Sequence, residues 1–122
     1  MTQQPIALVI GDVMLDRRTS GEMVSISAEA PVPVVHQTAV TDSLGGAGNV
    51  ARNIKSLGHS VMLMGFIGDD EAGKSVAALA FEAGITVCLP YWERPTIVKH
   101  RVTCDGQIVV RIDTEDRRHI EA

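Results

Sequence analysis

The stretch IALVIGDVMLD, residues 6–16, decides the fold class of this chain. Its first half, Ile6 to Ile10, is a continuous apolar run that ends at Gly11, a pattern typical of a buried strand in a parallel sheet. Two carboxylates, Asp12 and Asp16, follow this strand directly. Because ligands of open α/β sheets bind beyond the carboxyl ends of the strands, the stretch predicts both a parallel sheet and a binding edge.

Further along the chain, apolar runs alternate with segments that have helical periodicity. The predicted helices span residues 49–57 and 72–83, and the predicted buried strands span residues 61–67 and 85–89. Each helical segment is followed by a glycine, Gly58 or Gly84, which is typical of a helix C-terminus. The alternation predicts an α/β fold, with a parallel sheet flanked by helices and joined by right-handed crossovers.

Two segments fall outside this alternation and predict a small antiparallel β flap, or lid. Residues 31–40 are extended and contain two prolines, which suits an edge strand. Residues 96–104 and 107–113 flank Asp105-Gly106, a strong signal for a two-residue hairpin. A regular hairpin would place Arg111 opposite His100 and Asp113 opposite Val98. We therefore assign the α/β body to residues 1–30 and 41–90, and the lid to about 31–40 and 96–113.

Composition narrows the function classes. The chain has 122 residues, is 45% hydrophobic and carries a net charge of −4, which suits one modest domain and argues against a nucleic-acid partner. It contains no run of eighteen apolar residues and no secretory signal pattern, so we expect a cytoplasmic protein without a membrane span. Cys88 and Cys104 are predicted to be free and buried. The four histidines lack metal-ligand spacing, so no metal site is predicted.

Two groups of residues near the strand ends are candidates for ligand binding. The carboxylates of Asp12 and Asp16 can accept hydrogen bonds from hydroxyl groups, although a capped, solvated loop is the alternative. Gly45 and Gly46 open a helix whose first turn holds Asn49, and backbone N–H groups of such a turn can approach an anion or a hydroxyl-rich ligand. Neither a Walker loop nor a dinucleotide fingerprint is present. A tight turn that packs helix on sheet is the alternative here.

The acidic cluster and the hairpin supply two further candidates. The cluster of Asp69, Asp70 and Glu71 precedes a helix and suits an N-cap and a favourable interaction with the helix dipole. On the hairpin, Lys99 and Arg101 lie two residues apart and therefore share one strand face, where two cations can bind a phosphate. A solvated lid surface is the alternative interpretation of that pair.

Taken in order, these motifs resemble the ribokinase (PfkB) family of carbohydrate kinases. They are Gly11-x-x-x-x-Asp16, Gly45-Gly46-x-x-Asn49 and Gly65-x-x-Gly68-x-Asp70-x-x-Gly73. The resemblance covers nearly the whole chain. It is closest to the D-glycero-D-manno-heptose-7-phosphate kinases, which have similar residues at positions 11–17, 29–35, 94–102 and 111–113.

The resemblance implies an activity and a set of partners. It implies transfer of the ATP γ-phosphate, with Mg²⁺, to the C1 hydroxyl of the heptose phosphate, a step of ADP-heptose synthesis for lipopolysaccharide. It also implies a homodimer formed through the β lid. The substrate, a sugar or sugar phosphate, is expected to contact Asp12, Asp16, Gly45, Gly46, Asn49, Lys99 and Arg101.

The chain also departs from the heptose-kinase pattern. Arg18-Thr19 stands where that group usually has an aromatic pair, and Ser25 stands where it usually has arginine. A kinase of another sugar in the same family is therefore an alternative.

A second departure concerns the catalytic residues. The family's catalytic aspartate lies in a Gly-Ala-Gly-Asp motif that this sequence lacks. We therefore expect an N-terminal portion whose C-terminal half, with the residues that bind ATP and Mg²⁺, is absent. We predict no catalytic residue here and no activity for the piece alone. A non-catalytic sugar-binding or interaction protein is the remaining alternative.

Overall fold

A computed structural model describes residues 4–119 of the chain. The strands are β1 (Ile6–Ile10), β2 (Val13–Ile26), β3 (Pro33–Gly46), β4 (Ser60–Met64), β5 (Ile67–Gly68), β6 (Thr86–Cys88), β7 (Tyr91–Trp92), β8 (Ile97–Cys104) and β9 (Gln107–Thr114), and the helices are α1 (Ala47–Ser56) and α2 (Glu71–Glu82). Both predicted helices and the three predicted parallel strands are confirmed, with ends that shift by a few residues.

A three-stranded parallel sheet, ordered β1-β4-β6, forms the body. Its central strand β4 buries Val61 and Leu63 against the helices, and Val76 of α2 is fully buried in the same core. Neighbouring β1 turns Ala7 and Val9 toward that core. The helices therefore cover one face of the sheet, as their apolar periodicity requires.

The opposite face of β1 is open in the part of the chain that the structure describes. Ile6, Leu8 and Ile10 are 65%, 53% and 67% exposed. The prediction that this strand is buried is therefore wrong for residues 4–119, since the two helices pack on the Ala7 side alone. The predicted burial of Cys88, at the end of β6, is wrong as well, whereas Cys104 is buried.

A four-stranded sheet, ordered β3-β2-β8-β9, forms the lid and extends into the body. The edge position predicted for residues 31–40 is confirmed, because β3 lies at the edge of this sheet. Residues 13–26, which we assigned to the body, instead form β2 and pair antiparallel with β3 and parallel with β8. The buried residues Val13 and Leu15 alternate with the partly exposed residues Met14 and Asp16, and a period of two is that of a strand.

The hairpin at Asp105-Gly106 is confirmed, but its register differs from the predicted one. Both turn residues have positive φ angles, 51° and 79°, as a type I′ turn requires. An irregularity between Val102 and Thr103 leaves Val109 without a partner and shifts the register by one residue. Consequently Arg111 lies opposite Arg101, and Asp113 lies opposite Lys99. A bulge of this kind is invisible in an alternation pattern because it depends on local twist.

The acidic cluster before α2 has the predicted structural role. Asp70 is the N-cap residue, and its side chain accepts a hydrogen bond from the backbone N–H of Gly73 at 2.8 Å. Glu71 lies in the first turn, where its charge is favourable to the helix dipole. Within residues 4–119, neither helix has the length and apolar character that crossing a bilayer would need.

Candidate functional site

Two rows of side chains run across one face of the four-stranded sheet, which we call the polar face. Residues that are partners in register project from the same side of a sheet, so the pairing defines each row. The lower row contains Ser43, Asp16, Lys99 and Asp113, and the upper row contains Thr41, Arg18, Arg101 and Arg111. The rows bring together Asp16, Lys99 and Arg101, three of the residues that we predicted to contact the substrate.

Gly45 makes room for the carboxylate of Asp16. The glycine is paired with Met14 on β2, and a Cβ atom added to it would lie 2.8 Å from Cγ of Asp16. Such a contact is too short for two carbon atoms, so any larger residue would displace the carboxylate. Asp16 also forms a 3.6 Å ion pair with the guanidinium of Arg101. The predicted glycine, carboxylate and cation therefore form one cluster.

Gly46 joins the Asp12 loop to the start of α1. It adopts a φ of 57°, and a Cβ atom there would lie 2.3 Å from the carbonyl oxygen of Asp12. That same oxygen accepts a hydrogen bond from the backbone N–H of Ala47 at 2.8 Å. The helix has no side-chain cap. Asn49, in its first turn, accepts a hydrogen bond from Arg52 at 3.0 Å.

Lys99 is engaged by acidic residues on the neighbouring strand and beyond it. Its ammonium group lies 3.2 Å from Asp113 and 3.4 Å from Glu115. Asp113 also contacts Arg111 at 3.0 Å. Loss of water raises the pKa of Asp113, but the hydrogen bond from Lys99 and the charge of Arg111 outweigh it and hold the pKa below its ordinary value. The positive charge of Lys99 is thus compensated within the protein.

On the opposite face of this sheet, the side chains near the body stabilise the fold. Arg17 donates two hydrogen bonds of 2.8 Å to Asp42, and these bonds lower the pKa of that carboxyl. One layer further out, the side chains of Thr19 and His100 are hydrogen-bonded at 2.8 Å. Leu15, on the same face, is fully buried in the core. Arg17 therefore stabilises the sheet and does not belong to the polar face.

Two cavities adjoin the predicted residues. One, of about 250 Å³, is lined by Asp16, Arg17, Arg18, Thr41, Ser43 and Arg101. The other, of about 110 Å³, lies beside Asp12 and is lined by residues that include Phe66, Trp92 and Arg94. A larger cleft of about 840 Å³ lies between residues 91–94 and 118–119 and contains none of the predicted site residues. The cavity beside Asp16 and Arg101 thus opens on the polar face.

Four residues that line the first cavity were not predicted from the sequence, namely Arg17, Arg18, Thr41 and Ser43. Arg18, Thr41 and Ser43 enter it because β2 and β3 are paired along their whole length. The alternation of Val13 and Leu15 with their neighbours was the available signal. It would have placed Arg18 on the same face as Asp16.

A hydrogen-bonded clip that the sequence did not predict connects the body to the lid. The buried side chain of Thr96 donates to Asp70 at 2.7 Å and accepts from the backbone N–H of Gly68 at 2.9 Å. The backbone N–H of Thr96 donates to the other oxygen of Asp70 at 2.9 Å. Because β8 begins at Ile97, the clip fixes the root of the strand that carries Lys99 and Arg101.

The sequence profile of the pfkB family carbohydrate kinases matches residues 7–120. The chain belongs to this family. The family resemblance seen in the motifs is therefore confirmed, and the site described above lies wholly within the matched PfkB region.

Curated relatives include heptose kinases. The chain is 49% identical over 109 residues to the D-beta-D-heptose 7-phosphate kinase of Bordetella bronchiseptica, a match that covers 88% of this chain and 35% of that protein. It is 48% identical over 121 residues to the bifunctional protein HldE of Azorhizobium caulinodans, covering 97% and 25% respectively. The chain thus spans about a third of the first relative and a quarter of the second.

Solved structures confirm the ribokinase-like fold class. A carbohydrate kinase from Agrobacterium tumefaciens matches with a TM-score of 0.71 and 27% identity, over 88% of this chain and 34% of that one. The phosphofructokinase-2 of Escherichia coli, in complex with fructose-6-phosphate, matches with a TM-score of 0.66 and 21% identity, over 91% and 34%. The second likeness concerns the fold alone.

Proposed function

We propose that the protein containing this chain is a carbohydrate kinase that transfers the γ-phosphate of ATP to D-glycero-D-manno-heptose 7-phosphate at the C1 hydroxyl. The observation that carries the proposal is the cluster of Asp16, Gly45 and Arg101, a carboxylate and a guanidinium 3.6 Å apart on one open sheet face. Identities of 45–49% to proteins named heptose 7-phosphate kinase or HldE support the choice of sugar. We propose that this step serves ADP-heptose synthesis for lipopolysaccharide, as the family resemblance implies.

Each predicted residue has a role in this proposal. Asp12 and Asp16 accept hydrogen bonds from the sugar hydroxyls, and the turn of Gly45 and Gly46 lets the ligand approach the backbone. The side-chain amide of Asn49, in the first turn of α1, can donate hydrogen bonds to the sugar and accept them from it. The predicted cations, Lys99 and Arg101, bind the substrate phosphate.

We assign no catalytic or nucleotide-binding role to a residue of this chain. Transfer to a hydroxyl needs a general base at that hydroxyl and donors for the developing negative charge. The polar face supplies neither in a matched motif, so we assign no catalytic residue to it. Among residues 4–119, no three His, Cys, Asp or Glu side chains are arranged to hold a metal ion, so no ligand of Mg²⁺ is assigned either.

We also propose that the enzyme is cytoplasmic and that it forms a homodimer through the lid. On the face opposite the polar face, Val40, Val102 and Val110 form one row with Thr19, and Ile112 lies in the next row. Val40, Val110 and Ile112 are 47%, 47% and 52% exposed. Pairing of this apolar lid face with a second copy would remove it from water.

The test uses the full-length protein that contains this chain, ATP, and a panel of sugars and sugar phosphates. The expected result is ATP-dependent phosphorylation of heptose 7-phosphate, with a kcat/KM at least tenfold above that for any other sugar in the panel. NMR of the product identifies the phosphorylated carbon as C1. Preference for a different sugar would support the alternative kinase, and no transfer to any sugar would contradict a kinase function.

A further inference from the structure

The upper row of the polar face places three arginines side by side. Arg101 on β8 is the register partner of Arg18 on β2 and of Arg111 on β9. We call these three residues the arginine row. Like charges directly opposite each other on neighbouring strands repel, so the row is unfavourable for the protein alone. An anion bound over the row would be attracted to all three arginines and would offset their mutual repulsion.

The charge balance of the polar face points to an anionic ligand. The rows contain four cations, Lys99 and the arginine row, but only two carboxylates, Asp16 and Asp113. Glu115, which lies 3.4 Å from Lys99, adds a third carboxylate, so this surface carries an excess of one positive charge in a chain whose net charge is −4. Such an excess favours an anionic ligand, and a phosphate monoester is one.

The ion pairs show which cations are already compensated. Lys99 lies between Asp113 and Glu115, Arg111 contacts Asp113, and Arg101 contacts Asp16. Arg18 has no carboxylate within 4.0 Å among residues 4–119, and its side chain lines the 250 Å³ cavity together with Asp16 and Arg101. A guanidinium in that position can donate two parallel hydrogen bonds to phosphate oxygens.

We infer that the arginine row is the phosphate subsite of this enzyme and that Arg18 is its specificity-determining residue. The inference rests on the proposed kinase function and moves the centre of phosphate binding from Lys99 to the row above it. Lys99 then positions the strand through Asp113, while Arg18 and Arg101 contact the phosphate from two neighbouring strands. The hydroxyls of Thr41 and Ser43 line the same cavity and complete a polar wall.

The first experiment compares single-charge removals in the full-length protein. Arg18→Gln should lower kcat/KM for heptose 7-phosphate by about ten- to a hundredfold, the range for loss of a charge-assisted hydrogen bond. The same variant should change kcat/KM for the unphosphorylated heptose by less than about threefold. Arg18→Lys, which keeps the charge but loses the planar fork, should recover part of the loss. Lys55→Gln, a charge removal at the end of α1, is the matched control and should behave like the wild type.

A binding measurement decides the inference independently of catalysis. Inorganic phosphate and heptose 7-phosphate are each titrated into the protein, and the arginine Nε–Hε groups are followed by NMR. Binding should shift the signals of Arg18 and Arg101 in the wild type. The affinity for both ligands should be at least tenfold weaker in Arg18→Gln. Equal affinities in the wild type and Arg18→Gln would overturn the inference, whether or not the protein transfers phosphate. A selective loss in Lys99→Gln with none in Arg18→Gln would overturn it as well. A wild type that binds phosphate through Arg18 but phosphorylates no sugar would refute only the kinase function.

Discussion

At the scale of single residues, the carboxylate of Asp16 occupies space that is open because its neighbour Gly45 has no side chain. Its partners in space, Gly45 and Arg101, lie on different strands, so the carboxylate is held between β3 and β8. The sequence identified all three residues because each belongs to a motif with fixed spacing. Arg18 and Ser43 were not predicted, since their contribution depends on which face of β2 and β3 points toward the ligand. The alternation along β2 would have placed Arg18 beside Asp16, but the position of Ser43 depends on the pairing with β3.

Replacement of Asp16 should impair sugar binding without affecting the nucleotide. In the full-length protein, Asp16→Asn is expected to lower kcat/KM for the sugar tenfold or more, because a charged hydrogen bond contributes roughly 1.5–3 kcal/mol. The KM for ATP should stay within about twofold. Asp105→Asn is the control, since asparagine tolerates the left-handed backbone of the hairpin turn. Unaltered sugar kinetics in Asp16→Asn would remove this residue from the site.

The clip at Asp70 makes stability depend on pH. Partial burial raises the pKa of this carboxyl, but the hydrogen bonds from Thr96 and Gly73 outweigh it, so the folded-state pKa lies below the ordinary value. A lowered pKa means that the stabilisation is present above the unfolded value of about 3.9 and is lost as the pH falls through the folded value.

Asp70→Ala should therefore lower the free energy of unfolding by roughly 1–3 kcal/mol at pH 7, through loss of the cap and of the bonds to Thr96. Thermal melts between pH 7 and pH 3 should show the gap to the wild type narrowing below about pH 4. Asp69→Asn, at the exposed neighbouring position, serves as the control. A gap that stayed constant over this range would show that ionisation of Asp70 does not contribute.

At the scale of elements, the parallel strands and helices were predictable because apolar periodicity reports directly on burial. Strand β2 was not, although its alternation was present in the sequence. The apolar run that precedes β2 and the glycine at position 11 suggested a loop after β1. The pairing of β2 with β3 is a tertiary contact, which local sequence does not report. The register of β8 and β9 was missed for a similar reason, since the bulge at Val109 is set by twist and not by composition.

The bulge gives a test of this register. Deletion of Val109 should leave Asp113 opposite Lys99, because the deletion removes the unpaired residue and regularises the ladder. Deletion of Ile112 should instead move Asp113 to the other face and break its ion pair with Lys99. We expect the melting temperature of the protein to fall less for the first deletion than for the second. The reverse order would show that the pairing of β8 with β9 differs from the one described.

At the scale of the whole molecule, two apolar surfaces remain on residues 4–119, the open side of β1 and the apolar lid face. The homodimer that the family resemblance implies would cover the apolar lid face, but the sequence predicted a buried β1. The apolar pattern of β1 indicates that both of its faces need to be covered. It does not show that residues 4–119 cover both of them, so the predicted burial of β1 was too high.

Removing the apolar lid face should abolish the proposed dimer. Val110→Asp and Ile112→Lys should both give monomers in light scattering at tens of micromolar, whereas the wild-type full-length protein should give dimers. Phe81→Lys is the control, as this residue is 85% exposed on α2 and lies outside the lid. A monomeric wild type would contradict the proposed assembly.

The 122-residue chain by itself should not phosphorylate sugars. General-base and electrostatic contributions are each worth orders of magnitude in rate, and the sequence lacks the Gly-Ala-Gly-Asp motif that the family resemblance assigns to them. A coupled ATPase assay on the purified chain, with the same sugar panel, measures this. Sugar-dependent turnover above roughly 0.1 per second, within the range of real enzymes, would require a catalytic base among its own carboxylates.

Strand β2 also behaves, in mechanical terms, as a cantilever. At 14 residues it is about 46 Å long. Val13 and Leu15 clamp one end in the core, and irregular pairing softens the beam only beyond Ser20. Asp16 and Arg18 lie between the clamp and the first soft point. We therefore expect a load on the tip, such as a partner subunit or a bound ligand, to bend the outer segment and to leave the spacing of these two charged groups unchanged.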